Sequence, residues 1–218
     1  MSEYSEEEQW ERAKAFLKTH AIWIVGGIAI GLAALQGWRW YGDRKDQQAE
    51  TASTRYQELL DAFARSDRTR GMTLVEELNS KYSWTPYAAL GTLVAARVQV
   101  DANELDQAAT GLKGVMETAS ETELRLIART RLARVQAAQG KYDDALATLK
   151  VEDLGEFAPR FADTRGDVLL AKGDRAGALK EYLAARGQAD EGLVETELLD
   201  LKIRDLGGTP PATVEESS

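Results

Sequence analysis

A chain of 218 residues with 27 Lys+Arg against 36 Asp+Glu has a formal charge of −9, so no cationic excess offsets phosphates, which argues against nucleic-acid binding. No cysteine and a single histidine, His20, exclude disulfides, thiol catalysis and Cys- or multi-His metal sites, and no cofactor is expected. With 44% hydrophobic and 29% charged residues the composition is that of a folding chain, although the mean hydropathy of −0.39 averages over two unlike regions.

The first region begins with residues 1–18, where five glutamates (Glu3, Glu6, Glu7, Glu8, Glu11) outnumber Arg12, Lys14 and Lys18. From Thr19 to Trp38 there are 20 residues without a formal charge. As a helix this run covers about 30 Å, the thickness of a bilayer's hydrocarbon core. The pattern predicts a transmembrane anchor over residues 19–41, in contact with membrane lipid. Trp23, Trp38, Trp40 and Tyr41 are its expected interfacial anchors, because their rings are apolar in one part and hydrogen-bonding in another. The competing reading is a cleavable signal peptide. Against it stand the long acidic leader and an apolar run longer than the usual h-region. Gly27 and Gly31, with Ala33 and Gly37, place small residues at helical spacing, a stripe that admits a neighbouring helix. The same stripe also fits the general Gly/Ala richness of membrane helices. Arg12, Lys14 and Lys18 before the run balance Arg39, Arg44, Lys45 and Arg55 after it, so charge does not orient the span.

Residues 42–206 read as successive helices, because apolar residues recur at three- and four-residue spacing and no period-2 alternation is sustained. Breaks are expected at 66–70, 80–85, 101–103, Gly140, Gly155, Gly173 and Gly187, giving helices of about 10–18 residues. Stacking the turns reveals a repeat. Asn103, Gly140 and Gly173 are each followed five residues on by an alanine (Ala108, Ala145, Ala178) and nine residues on by a large apolar residue (Leu112, Leu149, Tyr182). Seven residues before each lies a small one: Ala96, Ala133, Gly166. This frame resembles the tetratricopeptide repeat and predicts an all-α solenoid of helical hairpins. Residues 47–82 add a further hairpin, 193–206 a capping helix, and 207–218 a disordered tail.

Motifs for chemistry are lacking: there is no phosphate loop, G-x-S-x-G, H-E-x-x-H or EF-hand spacing, and no catalytic or metal-binding residues are expected. Asp143 and Asp144 suit a helix start. The candidate site is instead the solenoid's concave side. The repeat frame directs Leu90, Leu93, Arg97 and Val100 there, then Ile127, Thr130 and Arg134, then Arg160, Asp163, Asp167 and Leu170. Aliphatic contacts interleaved with arginines suit an extended polypeptide.

The layout as a whole resembles the YfgM-type family, the ancillary SecYEG translocon subunits of Gram-negative inner membranes. The resemblance rests on the acidic leader and small-residue span ending Gly37-Trp38-Arg39-Trp40-Tyr41. It continues through Ala88-Ala89-Leu90, Asn103-Glu104-Leu105-Asp106-Gln107-Ala108-Ala109, Leu132-Ala133-Arg134-Val135-Gln136 and Arg165-Gly166-Asp167-Val168-Leu169-Leu170-Ala171-Lys172-Gly173-Asp174. It implies a single-pass type II inner-membrane protein, residues 1–18 cytoplasmic and the helical domain periplasmic. It also implies a non-enzymatic scaffold beside the Sec translocon that passes translocated polypeptides to periplasmic chaperones. A cell-envelope regulatory scaffold holding a signalling partner in the same groove is the alternative. Motif positions in this family are packing residues, so no catalytic residue is carried over.

Overall fold

The computed structural model describes residues 6–188 and 194–211, and within residues 6–43 it describes the side chains of only some positions. The chain divides into two units, Met1–Thr51 and Ala52–Ser218. Among the described residues all regular structure is helical: α1 (Glu6–Ala64), α2 (Arg68–Lys81), α3 (Pro86–Asp101), α4 (Leu105–Thr118), α5 (Thr122–Ala138), α6 (Tyr142–Thr148), α7 (Ala158–Lys172), α8 (Arg175–Gly187) and α9 (Thr196–Asp205), with a single 3-10 turn at Gly155–Phe157.

In the first unit α1 runs without a break through the uncharged stretch 19–38. Trp10, Phe16, Trp23, Leu32, Leu35 and Trp38 are exposed along it, Trp23 to 81% and Trp38 to 82%. Side-chain methyls added at Gly27 or Gly31 would meet nothing within 4 Å. Among the described residues no helix is long and apolar enough to cross a membrane. Ile22, Ile24, Val25 and residues 28–30 of the stretch, like Ala33, Gly37, Trp40 and Tyr41 of the expected packing and anchor sets, lie outside the described side chains. His20 stacks on Phe16 at 4.3 Å between ring centroids and meets the Phe16 carbonyl oxygen through Nδ1 at 3.0 Å, a local helical contact.

The second unit is a stack of hairpins. Each turn repeats one hydrogen-bonding scheme. At Asn103 (φ 61°) the amide donates to the Val100 carbonyl oxygen (2.9 Å), and the next amide, of Glu104, reaches back to Gln99 (2.8 Å). Gly140 (φ 78°) and Gly173 (φ 95°) carry the same pair of bonds, the left-handed closure that ends a helix while satisfying two of its orphan carbonyls. The alanines five residues on, Ala108, Ala145 and Ala178, are fully buried, as are Leu112, Leu149 and Tyr182 beyond them. Burying each such side chain contributes about 1.5–3 kcal/mol relative to leaving it in water.

Three features depart from the sequence reading. Ser66 (φ 61°) makes the same turn between α1 and α2, and Gly71 and Val75 occupy the small and large positions after it, so the frame starts one hairpin earlier than expected. The turn itself is short, because Asp67 caps α2 by accepting from the Arg70 amide (3.0 Å), which draws residues 68–70 into the helix. α6 has 7 residues rather than 10 or more, and Val151, Leu154 and Phe157 from the following loop fill the core space its missing turns would occupy. Gly207 and Gly208, expected in the tail, instead close α9: their amides donate to the carbonyl oxygens of Arg204 (2.8 Å) and Ile203 (2.9 Å). Residues 212–218 of the expected tail lie outside the described residues.

Within the last hairpin α7 and α8 touch across Gly166, where an added Cβ would lie 2.4 Å from the Tyr182 ring. Gly166→Ala must displace a fully buried ring, so it is expected to cost about 1–3 kcal/mol, read as a lowered urea midpoint at unchanged slope.

Candidate functional site

The first helices of successive hairpins, α3, α5 and α7, pack in sequence, with α4 filling the space behind α3 and α5. Together they line a concavity of about 1260 Å3. Its surface includes Leu93, Arg97 and Val100 from α3, Ile127, Thr130 and Arg134 from α5, and Arg160 and Asp163 from α7. These are eight of the positions that the repeat frame directs to the concave side. Leu90 is half-buried, and neither it nor Leu170 or Asp167 lines this concavity. Further lining residues lie outside the positions that the frame directs there, from α4 (Leu105, Leu112) among others. Arg131 lies one residue out of the i, i+3, i+7 series of α5, and Val194–Leu199, at the start of α9, supplies a further wall.

α9 reaches that position through its buried face, Leu199 and Ile203, and through ion pairs along its flank. Arg186 on α8 bonds to Asp200 (2.8 Å), both side chains being largely shielded. Lys202 donates to Asp163 (2.7 Å) and to Asp167 (2.6 Å) on α7, and its ammonium stands 5.0 Å above the Tyr182 ring. Arg134 donates to the second oxygen of Asp163 (3.3 Å), and the Tyr182 hydroxyl donates to Asp167 (2.9 Å). Asp163, only 8% exposed, thus accepts from two cations, which offsets the cost of burying its charge. Burial and the adjacent Asp167 carboxylate push the Tyr182 phenol well above its ordinary value, so it stays a neutral donor. The acidic residues of this corner are committed to holding α9 in place. Among the described residues no group of three or more His, Asp or Glu is arranged to hold a metal ion.

Arg131 has a different setting. Its guanidinium donates to the Leu93 carbonyl oxygen (3.1 Å), a tie from α5 to α3 across the groove floor. Its pKa is lowered, first by burial and then by the positive fields of Arg160, Arg97 and Arg134. Four arginines therefore converge on one aliphatic concavity in a chain whose net charge is −9.

A family model described as a tetratricopeptide repeat-like domain matches residues 14–208. A relative from Escherichia coli (strain K12), named ancillary SecYEG translocon subunit, is 32% identical over 202 residues, covering 93% of this chain and 97% of its own length. The chain belongs to the ancillary SecYEG translocon subunit family. Relatives of the same name from Neisseria gonorrhoeae, 29% identical over 92% of this chain and 97% of its own length, and Haemophilus influenzae, 24% identical over the same shares, align over almost the same extent. No solved structure matches the chain. The family resemblance read from the sequence motifs thus holds across the whole helical region, and the fold is the all-helical tetratricopeptide-like solenoid expected of it.

Replacing Lys202 with Met keeps the aliphatic stem and removes two charge-assisted hydrogen bonds, each worth about 1.5–3 kcal/mol where shielded. Amide hydrogen exchange across Thr196–Asp205 is expected to accelerate by about tenfold or more, while α3 and α4 keep their protection.

Proposed function

We propose that this protein is a non-enzymatic, membrane-tethered scaffold associated with the Sec translocon, whose groove receives polypeptide and assists its transfer to periplasmic chaperones. The observation that carries this reading is the groove itself. It is lined by aliphatic residues and four arginines, and of its carboxylates Asp163 is engaged with Arg134 and Lys202. Such a surface holds an extended chain through side-chain burial and through guanidinium bonds to carbonyls or carboxylates. The relatives named as ancillary SecYEG translocon subunits support the placement beside the translocon.

The tether is α1. Six large apolar side chains lie exposed along it, and a soluble helix with such a surface would bury it against something. Trp23 and Trp38 are 15 residues apart, about 22 Å of helix, somewhat less than the roughly 30 Å of a hydrocarbon slab, and both rings are exposed. The open flank at Gly27 and Gly31 admits the close approach of a translocon helix. In the proposed topology residues 1–18 face the cytoplasm, 19–41 span the inner membrane, and the helical domain lies in the periplasm. Tethering raises the local concentration of a weak binding site, so individual contacts need not be tight.

A photocrosslinker placed at Gly27 is expected to capture translocon subunits, and one at Ile127 to capture a translocating chain. Lipid adducts alone at Gly27 defeat the tether's packing role. Proteolysis of the helical domain in spheroplasts is expected on adding external protease, and full protection would place the domain in the cytoplasm.

A further inference from the structure

We infer that Arg131 forms an anion subsite in the groove floor, flanked by Arg97 and Arg160, which selects polypeptide segments carrying an acidic side chain between aliphatic ones. This rests on the groove as the polypeptide site proposed above.

Charge placement carries the inference. Arg134 is committed to Asp163 and Asp167, and Arg97 pairs with Asp101 along its own helix. Among the described residues no ion pair involves Arg131, whose fixed partner is the neutral Leu93 carbonyl oxygen. The surrounding guanidiniums of Arg160, Arg97 and Arg134 repel it, and the α9 wall places Glu195 and Glu197 in the same concavity. A like-charge cluster at the bottom of a partly desolvated groove is relieved by a bound anion, and a guanidinium binds a carboxylate through two parallel bonds. One guanidinium edge is already used on Leu93, which orients the remaining donors.

The rest of the groove excludes a bare small anion as the fitted occupant. About 1260 Å3 exceeds the roughly 300–1,000 Å3 typical of small-ligand pockets. Val100 and Ile127, which keep apolar surface exposed in the same groove, would stay wet around an isolated ion. An extended segment fills both kinds of surface at once, its aliphatic side chains on the floor and one Asp or Glu on Arg131.

The test uses the full chain in detergent micelles and three end-capped fluorescent peptides, identical in aliphatic sequence but with Glu, Gln or Lys at the centre. Anisotropy is expected to rank them Glu, Gln, Lys, with the Glu peptide about tenfold tighter than Gln, the worth of one charge-assisted pair. Arg131→Gln should abolish the Glu-over-Gln preference while keeping the Gln peptide's affinity, and Arg131→Lys should retain part of it. If Arg131→Gln misfolds by circular dichroism, the exposed Arg97→Gln decides, with an expected loss of about threefold in the preference. Equal binding of Glu and Gln peptides by the wild type overturns the subsite and leaves the groove reading standing. Failure of all three to bind overturns both. A preference that survives in both variants also overturns the subsite.

Discussion

Each hairpin of the solenoid depends on two helices approaching closely at a fixed distance from the turn that joins them. Ser66, Asn103, Gly140 and Gly173 take left-handed backbone, and five residues later the chain presents a hydrogen or a methyl to the preceding helix: Gly71, Ala108, Ala145 and Ala178. A larger side chain at those positions would push the pair apart and lift Leu112, Leu149 or Tyr182 off its seat. Gly71 against Phe63 shows the rule with a ring lying where a Cβ would be, and Gly166 against Tyr182 makes a contact of the same kind seven residues before its turn. Short, locally determined turns thereby set how α4 seats on α3, α6 on α5 and α8 on α7.

The groove and its electrostatics follow from how the hairpins end. The solenoid closes on α9, held by Leu199 and Ile203 beneath and by Asp163, Asp167 and Asp200 alongside. These shielded pairs differ in kind from exposed ones such as Arg97–Asp101 or Lys113–Glu117, where solvent leaves at most about 1 kcal/mol. α7's carboxylates are shared between Lys202 and Arg134, and among the described residues no ion pair involves Arg131.

The repeat frame was legible because its chemistry is local: a residue tolerant of positive φ, then a small residue, then a large one. It failed at Ser66 because serine rarely signals left-handed backbone, although Gly71 five residues later carried the spacing that could have revealed it. The concave residues Leu93, Arg97, Ile127, Arg134 and Arg160 followed from the same frame. Arg131 did not, since a face inferred from i, i+3 and i+7 leaves out a long side chain that bends across to the Leu93 carbonyl. The wall at 194–199 was equally hidden, because it depends on pairs between Asp163 and Lys202, 39 residues apart, which no local pattern encodes. The uncharged run in α1 was plain from the sequence, and the structure shows an uninterrupted helix through it, although among the described residues no helix is long and apolar enough to cross a membrane.

The contrast between local hairpins and one distant fastening bears on the order in which the chain acquires its structure. Most contacts that close a hairpin link residues within one helix–turn–helix, so each pair folds soon after its own residues emerge, with little loop-closure entropy to overcome. The bonds from Lys202 to Asp163 and Asp167 wait for nearly the whole chain. During synthesis, therefore, α3, α5 and α7 pack together before α9 arrives to add its wall. The wall at 194–199 is thus the last part of the concavity to form, whereas the floor is built from hairpins that close as they are made.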